Sequence, residues 1–223
     1  MEKYALIVAG GSGIRMGTSL PKQFLQLGHQ PVLLHTVARF LEAYADLHMV
    51  LVLPPAYIEK GRELVQSMPG AGNCAFTPGG ETRFHSVKKG LQFIPEGAVC
   101  FVHDAVRCLV SAGLIRRCFE TAAEKGNAVP AISPADSMRF QTESGQFQPL
   151  DRSKVRLIQT PQTFHSTVLK KAFDQPYDPG FTDEASVVEK AGVPIHLIEG
   201  EPTNLKITTP LDLLVAEQLL AKR

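Results

Sequence analysis

The sequence has almost no surplus of charge, few cysteines and no long apolar run. Lysine and arginine number 23 against 22 aspartate and glutamate residues, so no overall basic field favours nucleic acids or membrane surfaces. The four cysteines form no C-x-x-C pair, which predicts buried reduced thiols rather than disulfides or a zinc site. No apolar run approaches the roughly 18 residues of a membrane span. The start Met1-Glu2-Lys3 enters a predicted strand without a charged-then-apolar leader, so we expect a cytoplasmic protein.

What is present is a regular alternation of two kinds of segment along 223 residues. Short runs rich in Val, Ile and Leu alternate with longer amphipathic segments of helical length. This order predicts one α/β domain over 1–223, with a mostly parallel sheet and helices on both faces. The predicted strands are 4–9, 49–53, 74–78, 99–103, 128–132 and 195–199, and the predicted helices are 32–45, 56–68, 82–94, 111–125 and 210–222.

The alternation stops between about 134 and 162, where polar turns separate three short strand-like runs. These runs are 137–140, 147–150 and 155–159, and we expect them to be antiparallel. We interpret 134–162 as a β-arm that projects from the sheet and forms a contact between two copies of the chain.

A glycine-rich loop with two cations, Arg15 and Lys22, follows the first predicted strand. Its glycines allow backbone N–H groups to approach a phosphate closely, Arg15 adds a planar fork and Lys22 a point charge. Two common motifs fit badly: a dinucleotide fingerprint needs glycine where Met16 stands, and a P-loop needs Ser or Thr where Gln23 stands. A structural turn with two surface cations remains the alternative at this point.

Further candidates follow two other predicted strands, since ligands in open α/β sheets lie beyond the carboxyl ends of strands. Asp104 and Arg107 follow one strand, and a carboxylate there suits a sugar hydroxyl or a Mg²⁺ ion beside phosphates. The alternative is a helix cap or a local ion pair with Arg107. Gly79 and Gly80 follow another strand and would let a flat base lie against the backbone, with Ser86 at its edge. A simple helix cap is the alternative for this second group.

Eight short motifs in one order resemble the 2-C-methyl-D-erythritol 4-phosphate cytidylyltransferase family over nearly the whole chain. They are Ala-Gly-Gly-x-Gly-x-Arg-Met, Pro-Lys-Gln, Gly-Gly-x-x-Arg-x-x-Ser-Val, His-Asp-Ala-x-Arg, Asp-Arg, Thr-Pro-Gln, Thr-Asp-Glu-Ala-Ser and Asn-x-Lys-Ile-Thr. The resemblance implies a Rossmann-like fold of the nucleotidyltransferase type. It also implies transfer of CMP from CTP to 2-C-methyl-D-erythritol 4-phosphate, with release of pyrophosphate, in non-mevalonate isoprenoid biosynthesis.

Two alternatives to this function remain open. The first is the similar ribitol-5-phosphate cytidylyltransferase family, against which the segment Thr182-Asp-Glu-Ala-Ser186 argues. The second is a non-catalytic nucleotide-sensing protein on the same fold, against which the retention of both loop cations and Asp104 argues.

The resemblance also implies roles for single residues, in a Mg²⁺-dependent homodimer that uses two small-molecule substrates. Arg15 and Lys22 would hold the triphosphate, and Arg152 and Lys206 would orient the attacking phosphate. Because a phosphate monoester is already an anion near neutral pH, no general base is required. Asp104 would lie near the ribose and the metal as the Mg²⁺ ligand. The CTP site would comprise Ala9, Gly10, Gly11, Gly13, Gly79, Gly80, Ser86, Asp104 and Ala105, and the acceptor would contact Arg107, Ser137, Thr160 and Thr182.

The chain departs from the usual family pattern at two positions of the acceptor half. Cys108 follows Arg107 where the family typically has proline, which predicts a less rigid loop there. Ser137 stands where threonine is usual and keeps the hydroxyl. These departures concern acceptor binding rather than CTP binding.

Overall fold

The structure is a computed structural model that describes residues 1–9 and 20–222. Within these residues it contains a central sheet, two small two-stranded sheets and helices against the central sheet. The strands are β1 (Lys3–Val8), β2 (Gln26–Leu27), β3 (Gln30–Pro31), β4 (His48–Leu53), β5 (Cys74–Pro78), β6 (Val99–Asp104), β7 (Asn127–Ile132), β8 (Met138–Gln141), β9 (Phe147–Leu150), β10 (Leu157–Ile158), β11 (Gln162–His165) and β12 (Leu197–Glu199).

Several helices begin where a side chain accepts a hydrogen bond from a free backbone N–H group of the first turn. The Ser111 hydroxyl accepts from the Leu114 N–H, and Thr209 forms a reciprocal capping box with Asp212. Each predicted helix begins within about two residues of an observed one, whereas the helices at 166–173 and 184–190 were not predicted. The helices are α1 (Val32–Ala43), α2 (Ile58–Gln66), α3 (Arg83–Leu91), α4 (Ala112–Lys125), α5 (Ser166–Phe173), α6 (Glu184–Lys190) and α7 (Pro210–Leu220).

The central sheet has the strand order β10-β7-β11-β6-β1-β4-β5, with β12 also paired to β7. β6, β1, β4 and β5 are parallel to one another, which confirms the mostly parallel sheet. β11 was not predicted, and it runs antiparallel between β6 and β7. Its sequence Gln-Thr-Phe-His is short and mostly polar, so no apolar run marks it as a strand.

Both faces of the sheet are covered by helices, as predicted. Ala5 and Ile7 of β1 belong to the apolar cluster that contains residues of α1 and α4. Leu6, between them, belongs to the cluster on the other face with residues of α3, α5 and α6. A strand buried on both faces is apolar without alternation, which explains the continuous run of Ala5 to Val8.

The predicted β-arm is confirmed as a hairpin but not as three strands. β8 and β9 pair antiparallel in a separate two-stranded sheet. The third predicted run does not join them, because Leu157 and Ile158 pair antiparallel with β7 of the central sheet. The hairpin exposes apolar side chains to solvent, with Phe140 44% and Phe147 65% exposed.

The four cysteines are free thiols, as predicted. Cys100, Cys108 and Cys118 are buried and Cys74 is half-buried. Burial raises the pKa of Cys74 to about 11 and that of Cys118 to about 12, so these thiols stay protonated near neutral pH. Cys108, the departure beside Arg107, packs in an apolar cluster with Val106, Leu109 and Ile207.

Candidate functional site

The predicted site residues converge at the carboxyl ends of the parallel strands. The register that pairs Val8 with Asp104 places the end of β1 beside the end of β6. A cavity opens at this edge and brings together many residues that are distant in the sequence. It is lined by Val8, Ala9, Lys22, Gln23, Gly80, Glu81, Thr82, Arg83, Ser86, Asp104, Val106 and Lys206.

The wall of this first cavity is held by hydrogen bonds to backbone groups. The Gly80 N–H donates to the Ser86 hydroxyl at 3.0 Å, and that hydroxyl donates to the Thr82 carbonyl at 2.9 Å. The buried Gln23 amide donates to the Ala9 carbonyl at 2.7 Å, which ties the short 3₁₀ helix of Lys22 to the end of β1. Gly80 has no room for a side chain, since a Cβ there would lie 2.5 Å from Cβ of His85.

A second cavity of about 220 Å³ adjoins the first. It is lined by Arg83, Asp104, Arg107, Ile158, Thr160, Gln162, Thr182, Asp183 and Lys206. Arg83, Asp104 and Lys206 line both cavities. The two cavities therefore meet at one carboxylate and two cations.

Asp104 is the centre of this junction and is surrounded by three cations. Arg83 Nη1 donates to Oδ1 at 2.6 Å, while Arg107 Nε and Lys206 Nζ contact Oδ2 at 3.2 Å and 3.0 Å. Burial alone would raise the pKa of the Asp104 carboxyl, but the three cations hold it well below its ordinary range. Asp104 is therefore ionised at every physiological pH.

Arg83 connects Asp104 to a second buried carboxylate, Glu184. Its Nε and Nη2 donate to the two Glu184 oxygens at 2.8 Å each. Burial raises the pKa of Glu184, but the paired contact to both oxygens is the geometry of an ionised carboxylate with a guanidinium. Arg83, Arg107 and Lys206 are therefore fixed at the junction of the two cavities by two ionised carboxylates.

A network of buried polar groups fixes the wall of the second cavity. The Thr160 hydroxyl accepts from the Asp104 N–H at 3.1 Å, and its carbonyl accepts from the Asn204 amide at 2.9 Å. Arg107 Nη1 donates to the Asn204 carbonyl at 2.9 Å. Gln162 donates to Asp183 and accepts from the Ala185 N–H, which holds the start of α6 against β11.

The predicted residues thus fall into four groups. Ala9, Lys22, Gly80, Ser86, Asp104, Arg107, Thr160, Thr182 and Lys206 line one or both cavities. Gly79 and Ala105 are chain neighbours of the lining residues Gly80 and Asp104 but do not belong to the described lining; the Gly79 N–H donates to the Leu53 carbonyl and the Ala105 carbonyl accepts from Thr36. Gly10, Gly11, Gly13 and Arg15 lie outside the described residues.

Ser137 and Arg152, both predicted to contact the acceptor, lie elsewhere in the chain. They flank the β8–β9 hairpin, are exposed, and do not belong to the described lining of either cavity. Arg152 Nη1 instead donates to the Ala135 carbonyl.

Sequence reasoning missed Arg83, Glu184 and Gln162 as site residues. Each stands inside a motif noticed above, namely Gly-Gly-x-x-Arg, Thr-Asp-Glu-Ala-Ser and Thr-Pro-Gln. A buried charge requires a partner, so an arginine at the start of a predicted helix and a glutamate inside the Thr-Asp-Glu-Ala-Ser motif were usable signals.

Comparisons with known proteins agree with this arrangement. The family model described as 2-C-methyl-D-erythritol 4-phosphate cytidylyltransferase matches residues 4–222. The protein of that name from Bacteroides thetaiotaomicron is 43% identical over 220 residues, which cover 99% of this chain and 100% of that protein. The one from Porphyromonas gingivalis is 46% identical over 220 residues, which cover 98% of each chain.

Solved structures give the same result. The 2-C-methyl-D-erythritol 4-phosphate cytidylyltransferase from Thermus thermophilus is 31% identical with a TM-score of 0.76, covering 99% of this chain and 100% of its own. That from Francisella tularensis is 30% identical with a TM-score of 0.80, covering 98% and 99%.

Proposed function

The chain belongs to the 2-C-methyl-D-erythritol 4-phosphate cytidylyltransferase family, and on this premise we propose which residues bind each substrate and the metal ion. The enzyme is a nucleotidyltransferase of isoprenoid biosynthesis that transfers CMP from CTP to 2-C-methyl-D-erythritol 4-phosphate. A phosphate oxygen of the acceptor attacks the α-phosphorus of CTP. The bond from that phosphorus to the β-phosphate bridging oxygen breaks, and pyrophosphate leaves.

The observation that carries the proposal is the meeting of two cavities at Arg83, Asp104 and Lys206. We assign the cavity with Lys22, Gly80 and Ser86 to CTP and the cavity with Arg107, Thr160 and Thr182 to the acceptor. The acceptor phosphate would then meet the α-phosphate at the shared wall. Two polyanions repel each other strongly in a partly dry site, and cations fixed on both sides offset that repulsion.

The roles of single residues follow from this assignment. Lys22 holds the triphosphate and stabilises the charge that develops on the α-phosphoryl group and on pyrophosphate. The resemblance implies the same role for Arg15, which lies outside the described residues. Lys206 orients the acceptor phosphate, and Asp104 holds Lys206, Arg83 and Arg107 in place through its two oxygens. No residue has to remove a proton, because the attacking group is already an anion.

We propose Asp104 as the protein ligand of Mg²⁺. A carboxylate has about four lone-pair sites, and the cations around Asp104 use three of them. One protein carboxylate completed by substrate phosphates is a common way to hold Mg²⁺. When bound, Mg²⁺ would neutralise charge on the triphosphate. The test is CTP turnover against Mg²⁺ concentration, where Asp104→Asn should raise the concentration required.

We propose a homodimer in which the β-arm of one protomer completes the site of the other. The resemblance gives acceptor roles to Ser137 and Arg152, yet both flank an exposed hairpin away from the described cavity lining of their own chain. The same hairpin exposes Phe140 and Phe147, as expected of a surface that becomes buried on association. A two-fold dimer would exchange the arms reciprocally.

Subunit complementation tests this dimer. In the proposed dimer each site takes Lys206 from one protomer and Arg152 from its partner. A dimer of one Arg152→Ala protomer and one Lys206→Ala protomer therefore has one site that lacks both residues and one site that keeps both. Random mixing of the two inactive variants should restore about a quarter of wild-type activity, since half of the dimers are mixed and one site in each is intact. No recovery in verified mixed dimers would place Arg152 in its own protomer's site or in none.

The acceptor assignment is tested with purified protein, CTP and Mg²⁺. Pyrophosphate release with 2-C-methyl-D-erythritol 4-phosphate is the expected result. Release with ribitol 5-phosphate alone would contradict it, and CTP binding without turnover of either acceptor would support a sensing role instead.

We also propose a cytoplasmic location. None of the helices within the described residues is long and apolar enough to cross a membrane. The location itself is supported by the free thiols, because buried unpaired cysteines are typical of a reducing compartment. Fractionation of cells that express the chain would test it.

A further inference from the structure

The second cavity contains one purely hydrocarbon side chain in an otherwise polar wall, and this is Ile158. The remaining described lining residues are arginine, aspartate, threonine, glutamine and lysine. Ile158 is 36% exposed, so its side chain is only partly covered by the rest of the chain. An aliphatic group in such a wall binds no charge or hydroxyl, and it favours a ligand with an apolar group at that point.

The backbone explains why Ile158 faces this cavity. Ile158 and Thr160 both line it, and their spacing of two residues is the period with which side chains of an extended segment share one side. Antiparallel pairing of Ile158 with Ala131 of β7 fixes this register. The Gln159 N–H also donates to the Pro130 carbonyl at 2.8 Å, which holds the segment to the sheet.

We infer that Ile158 is a specificity residue that contacts the methyl group on C2 of the acceptor. This inference rests on the proposed assignment of the second cavity to the acceptor. The methyl group is the apolar branch that separates 2-C-methyl-D-erythritol 4-phosphate from an unbranched sugar-alcohol phosphate. Cations and hydroxyls on the same wall bind features that branched and unbranched acceptors share, so they cannot tell the two apart.

The test compares two acceptors that differ by this methyl group, 2-C-methyl-D-erythritol 4-phosphate and D-erythritol 4-phosphate. The wild type should prefer the methylated acceptor in kcat/KM by at least about 10-fold, the lower end of what one buried carbon contributes to discrimination. Ile158→Thr keeps the branch at Cβ but adds a hydroxyl. It should lower the preference to within about 3-fold of unity, while Ile158→Val should keep most of it.

The control is Leu157→Thr, the same kind of change at the neighbouring position of β10, outside the described cavity lining. It should leave the acceptor preference unchanged. Because each preference is a ratio measured on one protein sample, loss of folded or dimeric protein cancels. The KM for CTP should also stay near the wild-type value in the Ile158 variants.

Three results would count against the inference in different ways. A wild type that uses both acceptors equally well overturns the role of the methyl contact and leaves the proposed function standing. An unchanged preference in Ile158→Thr assigns the discrimination to another residue. A wild type that transfers CMP to neither acceptor overturns the proposed function, and the inference with it.

Discussion

Arg83 binds both carboxylate oxygens of Glu184 at 2.8 Å each, although the two residues stand 101 positions apart in the sequence. The pair joins the start of α3 to the start of α6, and the same guanidinium reaches Asp104 at 2.6 Å. Arg83 lines both cavities, so the Glu184 contact sets the position of a cation at their junction. Glu184 is thereby a positioning residue and not a catalytic one.

Glu184→Gln should destabilise the fold markedly. The change keeps the size of the side chain but leaves the half-buried Arg83 charge with one carboxylate instead of two. Breaking a buried ion pair from one side costs about 3–5 kcal/mol, and we expect a loss near the lower end, because the glutamine oxygen still accepts a hydrogen bond. Urea unfolding measures this loss. The control is Glu189→Gln, which makes the same change in charge at an exposed position of α6. It should change the free energy of unfolding very little.

Lys22→Ala should lower kcat by on the order of 100-fold with the fold intact. The reason is the loss of one fixed charge that stabilises the triphosphate during transfer. Steady-state kinetics with saturating CTP measures the effect, and thermal unfolding checks the fold. Lys125→Ala, at an exposed position near the end of α4, is the control. Near-normal turnover of the Lys22 variant would make Lys22 a surface cation without a catalytic role.

Lys206→Ala should impair use of the acceptor more than binding of CTP. Lys206 contacts Asp104 at 3.0 Å and lines both cavities, so its position alone does not assign it to one of the two substrates. We expect kcat/KM for the acceptor to fall by on the order of 100-fold, with KM for CTP changed less than about 3-fold. Lys190→Ala is the exposed control. A loss confined to CTP binding would assign Lys206 to the nucleotide.

Much of the fold could be predicted from local patterns, because its helices and parallel strands carry their signals in adjacent residues. The apolar run of β1 and the caps Ser111 and Thr209 are signals of this kind. β11 could not be predicted in this way, since its four mostly polar residues form a strand only because β6 and β7 pair with them on either side. Strand pairing between segments that are distant in the sequence cannot be predicted from the pattern of adjacent residues.

The residues of the candidate site also differ in whether a local sequence pattern marks them. Asp104 and Gly80 lie within two residues of the ends of predicted strands, so the rule for ligand sites in open sheets found them. Glu184 and Ile158 reach the site through contacts across the fold, namely the ion pair with Arg83 and the pairing of β10 with β7. Their roles needed the three-dimensional arrangement.

His103 should make the fold less stable as the pH falls below neutrality. The ring is fully buried, and burial lowers the pKa of His103 to about 3, against about 6.5 for a free histidine. Its nitrogens lie 3.0 Å from the Thr160 hydroxyl and 3.2 Å from the Arg107 carbonyl. The carbonyl can only accept, so Nε2 carries a hydrogen. The Thr160 hydroxyl can then donate to Nδ1, which is the arrangement of a neutral ring.

The sign of the pH effect follows from proton binding. Between pH 6.5 and 3 the unfolded chain binds a proton at His103 and the folded chain does not, so each unit below 6.5 favours unfolding by about 1.4 kcal/mol. Between pH 7.5 and pH 5 this proton lowers the free energy of unfolding by about 2 kcal/mol, which urea unfolding at the two pH values can measure. His103→Gln should remove that part of the pH dependence, and His29→Gln, at an exposed position, should keep it. A ring that titrates near pH 6.5 by NMR in the folded protein would contradict the prediction without any variant, since a neutral buried imidazole must stay silent across that range.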